Sequence, residues 1–135
     1  MAPSLNGIDH IHVHVTDRPV SEQWYQRVLG LSRVPELAGW AVDGGPLTLS
    51  DASGKVHLAL FEAGAQACRS TIALGVSASE FVRWRKHLEA ALAKPIRLED
   101  HQLAWSLYFS DPDGNPYEIT TYEHAAVKSI LAEGA

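Results

Sequence analysis

Gly7-Ile-Asp-His-Ile-His-Val-His-Val-Thr16 is the stretch around which the rest of the chain is organised. Side chains alternate between the two faces of a β-strand, so this stretch has one aliphatic face and one imidazole face. The aliphatic face carries Ile11, Val13 and Val15, and the imidazole face carries His10, His12 and His14. The β-branched face is typical of a strand that packs on a core. A lone histidine there would most often be structural, whereas three indicate a polar concavity that could bind a metal.

The composition is that of one globular domain. The chain has 135 residues, which is enough to bury a core without staples, and its formal net charge is −5. Lysine and arginine form no block, which argues against nucleic acid as a partner. Cys68 is the only cysteine, so an internal disulfide is excluded and a reducing compartment is favoured.

Targeting and membrane signals are not found in the sequence. Residues 1–6 lack the charged and apolar blocks of a signal peptide, and no apolar run reaches membrane-spanning length. We therefore expect a single domain over residues 1–135, located in the cytoplasm. Its expected partner is a small molecule, and neither a nucleic acid nor a membrane.

The first half of the chain reads as strand, helix and then short strands. Asp17 can cap a helix, Pro19 suits its first turn and Gly30 suits the residue past its end. The apolar stripe of this helix comprises Val20, Trp24, Tyr25, Val28 and Leu29. Short apolar pieces separated by glycine and proline predict strands around Arg33–Val34, Trp40–Val42, Leu47–Ser50 and Val56–Glu62.

The same order of elements then recurs. Ser70–Val76 predicts a strand, and Ser77 with Glu80 forms a capping-box pattern before a helix that runs to about Lys94. Further strands are predicted at Ile96–Leu98, Leu103–Phe109 and Tyr117–Tyr122, with a turn at Asp111–Pro116 and a short helix in 123–135. The sequence thus predicts an α+β fold of two βαβββ modules, about 6–63 and about 69–123.

A shift of 61 residues superimposes the two modules without a gap. It places His10 on Thr71 and His57 on Glu118, and it also places Glu62 on Glu123. By strand alternation, His57, Ala59 and Phe61 share one face, and Glu118, Thr120 and Tyr122 share the matching face.

The duplicated plan resembles the vicinal oxygen chelate superfamily, which includes glyoxalase I, extradiol dioxygenases, fosfomycin-modifying enzymes and bleomycin-binding proteins. Four segments carry the resemblance: Ile8–His10, Trp24–Leu31, Ile72–Val76 and Asp111–Glu118. The resemblance implies that the modules form a curved mixed sheet that cups the active site, with the helices on the outer face. It also implies one divalent metal, held by the first and last strands of each half.

Carried over by position, the resemblance makes His10 and Glu118 metal ligands. Thr71 stands where a second histidine is usual, and a threonine hydroxyl is a poor ligand beside an imidazole. We hypothesise that His57 replaces that histidine, since a ligand position of bacterial glyoxalase I matches it. Two imidazoles and one carboxylate suit Fe, Mn, Zn or Ni. The alternative is a metal-free cup like that of the antibiotic-binding members.

The expected activity is that of a metal-dependent dioxygenase, or of a lyase or isomerase of glyoxalase type. The substrate would be small. It would bear vicinal oxygens because a metal with open positions can hold two neighbouring oxygens, or be aromatic because aromatic side chains are expected on the cup wall. His12 and His14 are the candidate acid–base groups. The candidate substrate contacts are Trp40 (or Trp105), Phe61, Thr120 and Tyr122. The resemblance further implies a homodimer, and it leaves open whether His10 and Glu118 meet within one chain or across two.

Other polar residues receive structural interpretations. No lysine or arginine is expected at a cup position, which weakens a fosfomycin-type activity. His87 and His124 are expected in solvent, and His101 is left undecided. Asp111 and Asp113 are expected to form the turn rather than to act in catalysis.

Overall fold

The structure is a computed structural model that describes residues 1–62 and 70–134. Cys68 lies outside the described residues. The chain divides into two compact units, Met1–Ala67 and Cys68–Ala135, and each contains one four-stranded mixed sheet with helices. The predicted α+β class and the duplicated βαβββ order are confirmed. No helix in the described ranges is long and apolar enough to cross a membrane.

The first unit is built on four strands and one α-helix. The strands are β1 (Ile11–His14), β2 (Ser32–Arg33), β3 (Leu47–Ser50) and β4 (His57–Phe61), and the helix is α1 (Arg18–Leu29). In the sheet order β1-β4-β3-β2, only β1 and β4 run parallel to each other. The strand expected at Trp40–Val42 is wrong, because Pro35–Trp40 forms a 3₁₀ helix.

Helix α1 begins and ends where the sequence predicts. The Asp17 carboxylate accepts a hydrogen bond from the Val20 amide at 3.1 Å, and Gly30 adopts the left-handed conformation past the last turn. Four of the five predicted stripe residues are buried, and Val20 is the exposed exception. Each fully buried apolar side chain contributes about 1.5–3 kcal/mol.

The second unit repeats the plan with longer strands. The strands are β5 (Ile72–Gly75), β6 (Arg97–Asp100), β7 (Trp105–Ser110) and β8 (Pro116–Thr121). The helices are α2 (Ala78–Leu92) and α3 (His124–Ala132), so the terminal helix is confirmed. The sheet order β5-β8-β7-β6 matches that of the first unit, with β5 parallel to β8.

Helix α2 carries half of the predicted capping box. The Ser77 hydroxyl accepts from the Glu80 amide at 3.3 Å, whereas the Glu80 carboxylate accepts from Arg83 at 2.7 Å. Phe81 and Leu88 are fully buried, and these two residues anchor the predicted stripe. The chain leaves the helix at Ala93 in the left-handed conformation.

The strand registers correct the gapless superposition of the two modules. The Val15 amide donates to the Phe61 carbonyl, and in the second unit the Val76 amide donates to the Thr120 carbonyl. Val15 and Val76 keep the shift of 61, but Phe61 and Thr120 are only 59 residues apart. Glu118 therefore corresponds in position to Ala59, and the pairing of His57 with Glu118 is wrong by two residues. A two-residue offset preserves the face of every side chain.

Glu62 and Glu123, which the sequence paired, perform the same structural role. The Glu62 carboxylate accepts a hydrogen bond from the Arg18 amide at 2.9 Å, and the Glu123 carboxylate accepts one from the Ala78 amide at 2.7 Å. Each amide belongs to the first residue of a helix, where backbone donors lack intrahelical partners. These glutamates therefore stabilise the helix starts.

The β3–β4 and β7–β8 turns are each closed by an aspartate. The Asp51 carboxylate accepts from the Lys55 and Val56 amides at 2.8 and 2.9 Å. The Asp111 carboxylate accepts from the Asp113 and Asn115 amides at 2.9 and 2.8 Å. The prediction that Asp111 forms the turn is confirmed.

We expect Asp51 to make the stability of the protein depend on pH. Burial raises the pKa of this carboxyl, but hydrogen bonds from the Ser53 hydroxyl and from three backbone amides outweigh it, so the pKa lies below the ordinary 3.8. The stabilisation is thus present above the unfolded-state pKa and is lost as the pH falls through the folded-state pKa. The difference in melting temperature between wild type and Asp51→Asn should be constant above about pH 5 and shrink below about pH 4. A difference that grows on acidification would contradict this.

Candidate functional site

One residue of the predicted imidazole face, His10, lies at a cavity of the first unit together with His57. His10 directly precedes β1 and His57 opens β4, and the ladder pair Ile11–Leu58 places the two histidines level with each other. The cavity has a volume of about 270 Å³. Its polar lining is formed by Asp9, His10, Thr48 and His57. Two predicted metal ligands are therefore brought to one cavity.

The opposite wall of this cavity is apolar. It consists of Leu37, Trp40 and Pro46, while Ala59 adds an apolar side chain on β4 next to Thr48. Trp40, a predicted substrate contact, is 60 % exposed, so its ring is not part of the core. Arg18 holds the loop behind this wall, because its guanidinium donates to the carbonyls of Gly45 and Ala41.

A hydrogen-bonded chain links Asp9, His10 and His12. The His10 Nδ1 lies 2.7 Å from the Asp9 carboxylate, and the His10 Nε2 lies 3.1 Å from the His12 Nε2. Because a carboxylate only accepts, the His10 Nδ1 carries the proton and its Nε2 is an acceptor in the neutral ring. This hydrogen bond orients the His10 ring in the way that carboxylates orient metal-binding histidines, although the Asp9 side chain is 95 % exposed.

The other two histidines of the imidazole face, His12 and His14, lie next to Phe61. The His12 and His14 rings lie 4.7 and 5.9 Å from the Phe61 ring, centroid to centroid. The strand register puts His14 beside Phe61 on the neighbouring strand. The candidate acid–base groups and one candidate substrate contact are therefore adjacent.

In the second unit, Glu118 belongs to a network of hydroxyl groups. The Ser106 hydroxyl donates to the Glu118 carboxylate at 2.6 Å and contacts the Thr120 hydroxyl at 3.2 Å. The Thr120 hydroxyl donates to the Trp105 carbonyl at 3.1 Å. Ser106 is buried, so this network fixes the Glu118 side chain on the sheet face.

The Glu118 face also carries three residues that the sequence analysis missed or left undecided. Tyr108 lies opposite Glu118 on β7, and Arg97 lies opposite Tyr108 on β6. The Arg97 guanidinium is 4.8 Å from the centre of the Tyr108 ring, and the His101 Nε2 is 2.9 Å from the Tyr108 hydroxyl. The expectation that no arginine would face this side is wrong, and alternation along β6 could have found it.

On the reverse face of β7, Trp105 contacts His124, which the sequence analysis expected in solvent. The His124 ring stacks on Trp105 and its Nε2 lies 2.6 Å from the Asp100 carboxylate, so His124 is not simply solvated. Trp105 therefore packs against the start of α3 instead of facing Glu118. Hydrogen bonds from the Gln102 amide and the His124 ring lower the pKa of Asp100.

The remaining predicted residues are separate from these networks. Tyr122 follows the end of β8 and is 83 % exposed. The exposed Thr71 precedes β5, whose Ala73 lies beside Glu118. Within neither unit do three described histidine, cysteine, aspartate or glutamate side chains converge as a metal site would require.

A family model covers most of the chain. The model of the Glyoxalase/Bleomycin resistance protein/Dioxygenase superfamily matches residues 7–119. The chain belongs to this superfamily. The match begins before the imidazole strand and ends within β8, so it includes His10, His57 and Glu118. A search of curated proteins gave no match.

Several solved structures share the fold of this chain. A glyoxalase/dioxygenase from Nostoc punctiforme is 21 % identical, with a TM-score of 0.67 over 90 % of this chain and 95 % of that one. The fosfomycin resistance protein FosX from Listeria monocytogenes, crystallised with Mn(II) and sulfate, is 16 % identical, with a TM-score of 0.64 over 95 % and 99 % of the two chains. An integron cassette protein from the Halifax Harbour sewage outfall is 22 % identical, with a TM-score of 0.69 over 87 % and 99 %. At these identities the likeness concerns the fold.

Proposed function

We propose that this protein is a metal-dependent enzyme of the superfamily that acts on a small aromatic or vicinal-oxygen-bearing substrate. The observation that carries the proposal is the orientation of His10 by Asp9, at a cavity that His57 also lines. An imidazole that donates its Nδ1 proton to a carboxylate offers Nε2 as a metal ligand. The reaction would be of dioxygenase type, or of lyase or isomerase type.

The proposed ligands are His10, His57 and Glu118. The Glu118 carboxylate would come from the same chain or from a second copy, and Ser106 would orient it. By donor type, two imidazoles and a carboxylate fit Fe, Mn, Zn or Ni, and FosX, a relative in fold, carries Mn(II). A bound divalent ion with open positions would polarise two neighbouring oxygens of the substrate.

The other predicted residues have proposed roles around this ion. His12 and His14 would move protons at the substrate, because they flank the Phe61 ring. Trp40 and Phe61 would contact the apolar part of the substrate, and Thr120 and Tyr122 would contact it from the second unit. The proposed assembly is a homodimer, and the proposed location is the cytoplasm.

Elemental analysis of tag-free protein purified without chelator tests this proposal. We expect about one transition metal per chain in the wild type, and a large loss of metal in His57→Ala and Glu118→Gln, because a carboxamide is a much weaker metal ligand than a carboxylate. Glu99→Gln is the matched control, because Glu99 pairs with Arg97 on the same sheet and should leave the metal content unchanged. Iron-loaded protein should then be screened with catechols for oxygen uptake.

The second candidate function is that of a metal-free protein that binds a small molecule, as in bleomycin resistance. The apolar wall of Leu37, Trp40 and Pro46 favours it, because such surfaces bind flat organic ligands without a metal. Wild-type protein that stays free of metal after incubation with Fe(II), Mn(II), Zn(II) and Ni(II) would refute the enzyme proposal and leave this one. Light scattering of the purified chain tests the homodimer.

A further inference from the structure

We propose that His12 binds the metal together with His10, so that a single strand supplies two of the nitrogen ligands. This inference rests on the proposed metal-dependent function. It changes the role of His12 from an acid–base group to a ligand, and it leaves the acid–base role to His14.

The distance between the two ring nitrogens supports a shared ion. The Nε2 atoms of His10 and His12 are 3.1 Å apart. Metal–nitrogen bonds of about 2.0–2.1 Å with angles of roughly 90–110° place two ligand nitrogens about 2.8–3.4 Å apart. The separation of these two nitrogens therefore matches the distance that binding to one ion requires.

The protonation of His10 and His12 permits a metal to take the place of the proton between their Nε2 atoms. Two imidazole nitrogens at this distance share one proton, and it belongs to the His12 Nε2 because Asp9 holds the Nδ1 proton of His10. On metal binding, the proton of His12 moves from Nε2 to Nδ1 through solvent. Both rings stay neutral, and no net proton is released.

Neither neighbouring histidine has this relation to His10. His14 lies four residues further along the strand, which is roughly 13 Å away, and its ring contacts Phe61. His57 lies on the adjacent strand and lines the same cavity, which permits it to bind as well. The position of Thr71 offers no imidazole, so a ligand from the imidazole strand itself would offset that loss.

Calorimetric titration of the metal-free full chain with Zn(II) measures the role of His12. We expect His12→Ala to weaken binding by about 100-fold or more, because loss of a direct ligand should exceed the roughly 10- to 100-fold cost of losing a residue that only hydrogen-bonds to a ligand. His14→Ala is the matched control, because it removes the same ring from the same face of the same strand, and its affinity should stay within about 2-fold of wild type. Circular dichroism and thermal unfolding without metal show whether both variants keep the fold.

The tautomer of His12 gives a second readout. Long-range ¹H–¹⁵N NMR spectra should show the His12 proton on Nε2 without Zn(II) and on Nδ1 with it, while the His10 proton stays on Nδ1 throughout. If wild type binds Zn(II) and His12→Ala binds it equally well, this inference is overturned while the proposed function stands. If wild type binds none of the metals, the proposed function fails first. If His14→Ala weakens binding as much as His12→Ala, the pairing with His10 is refuted.

Discussion

Gly45→Ala is expected to lower the free energy of unfolding by about 2–3 kcal/mol and to disrupt the apolar wall of the cavity. A Cβ atom on residue 45 would lie 1.9 Å from the Trp40 carbonyl oxygen, which is backbone and cannot rotate away. The segment between Trp40 and Gly45 must therefore move. Since the Gly45 carbonyl also accepts from Arg18, that movement would break the contact between the loop and the start of α1.

Gly39→Ala provides the control for this substitution. Gly39 lies in the 3₁₀ helix of the same segment, and a Cβ atom there would meet nothing within 4 Å. Its stability should stay within about 0.5 kcal/mol of wild type. Urea unfolding followed by tryptophan fluorescence compares the two variants. Equal stability of Gly45→Ala and wild type would show that the loop accommodates the methyl group.

The cavity wall contains a segment whose conformation the sequence did not predict. Alternation along the first strand assigned the aliphatic and imidazole faces, because strand geometry permits only two directions for a side chain. The segment Trp40–Val42 has the apolar content of a strand but forms the end of a 3₁₀ helix and a turn. Its conformation depends on contacts with Arg18, more than 20 residues earlier, and local pattern carries no information on such contacts.

The internal repeat predicted the strand order of the two units correctly, but it did not predict correctly which residues of the two units correspond. Both units have the same strand order and both use a glutamate at a helix start, as the pairing of Glu62 with Glu123 suggested. The gapless shift failed at the last strand, because two additional residues, Thr121 and Tyr122, precede Glu123 in the second unit. The shift thus misassigned the partner of Glu118 while keeping its face.

The sequence predicted on which face of the sheet the candidate site residues lie, but it did not predict which side chains contact each other. Alternation placed His10, His12 and His14 together, and the hydrogen bond from His10 to Asp9 appeared only in the structure. Arg97 lies in the predicted strand Ile96–Leu98, on the face opposite to its two apolar neighbours, but its contact with Tyr108 depends on the strand pairing. Side-chain pairs depend on rotamers and register, which the sequence pattern does not specify.

Asp111→Ala is expected to lower the free energy of unfolding by about 3 kcal/mol or more, since it leaves several buried donors without an acceptor. The Asp111 carboxylate accepts from the amides of Asp113 and Asn115 and from the Asn115 side chain, at 2.8–2.9 Å. Asp111 and Asn115 are both buried, so water cannot replace the lost acceptor. Since β8 begins directly after this turn, the loss should also loosen the strand that carries Glu118.

Two further variants test whether the effect of Asp111→Ala comes from loss of the carboxylate acceptor or from any substitution in the turn. Asp111→Asn keeps one oxygen for the backbone amides but places an amino group against the Asn115 side chain, so its loss should be intermediate. Asp113→Ala keeps the amide that Asp111 binds, and its loss should stay below about 1 kcal/mol. Denaturant unfolding gives the three free energies, and hydrogen exchange of the Ile119 amide in β8 reports the loosening. Equal losses in Asp111→Ala and Asp113→Ala would contradict the acceptor role, because only Asp111 closes the turn from a buried position.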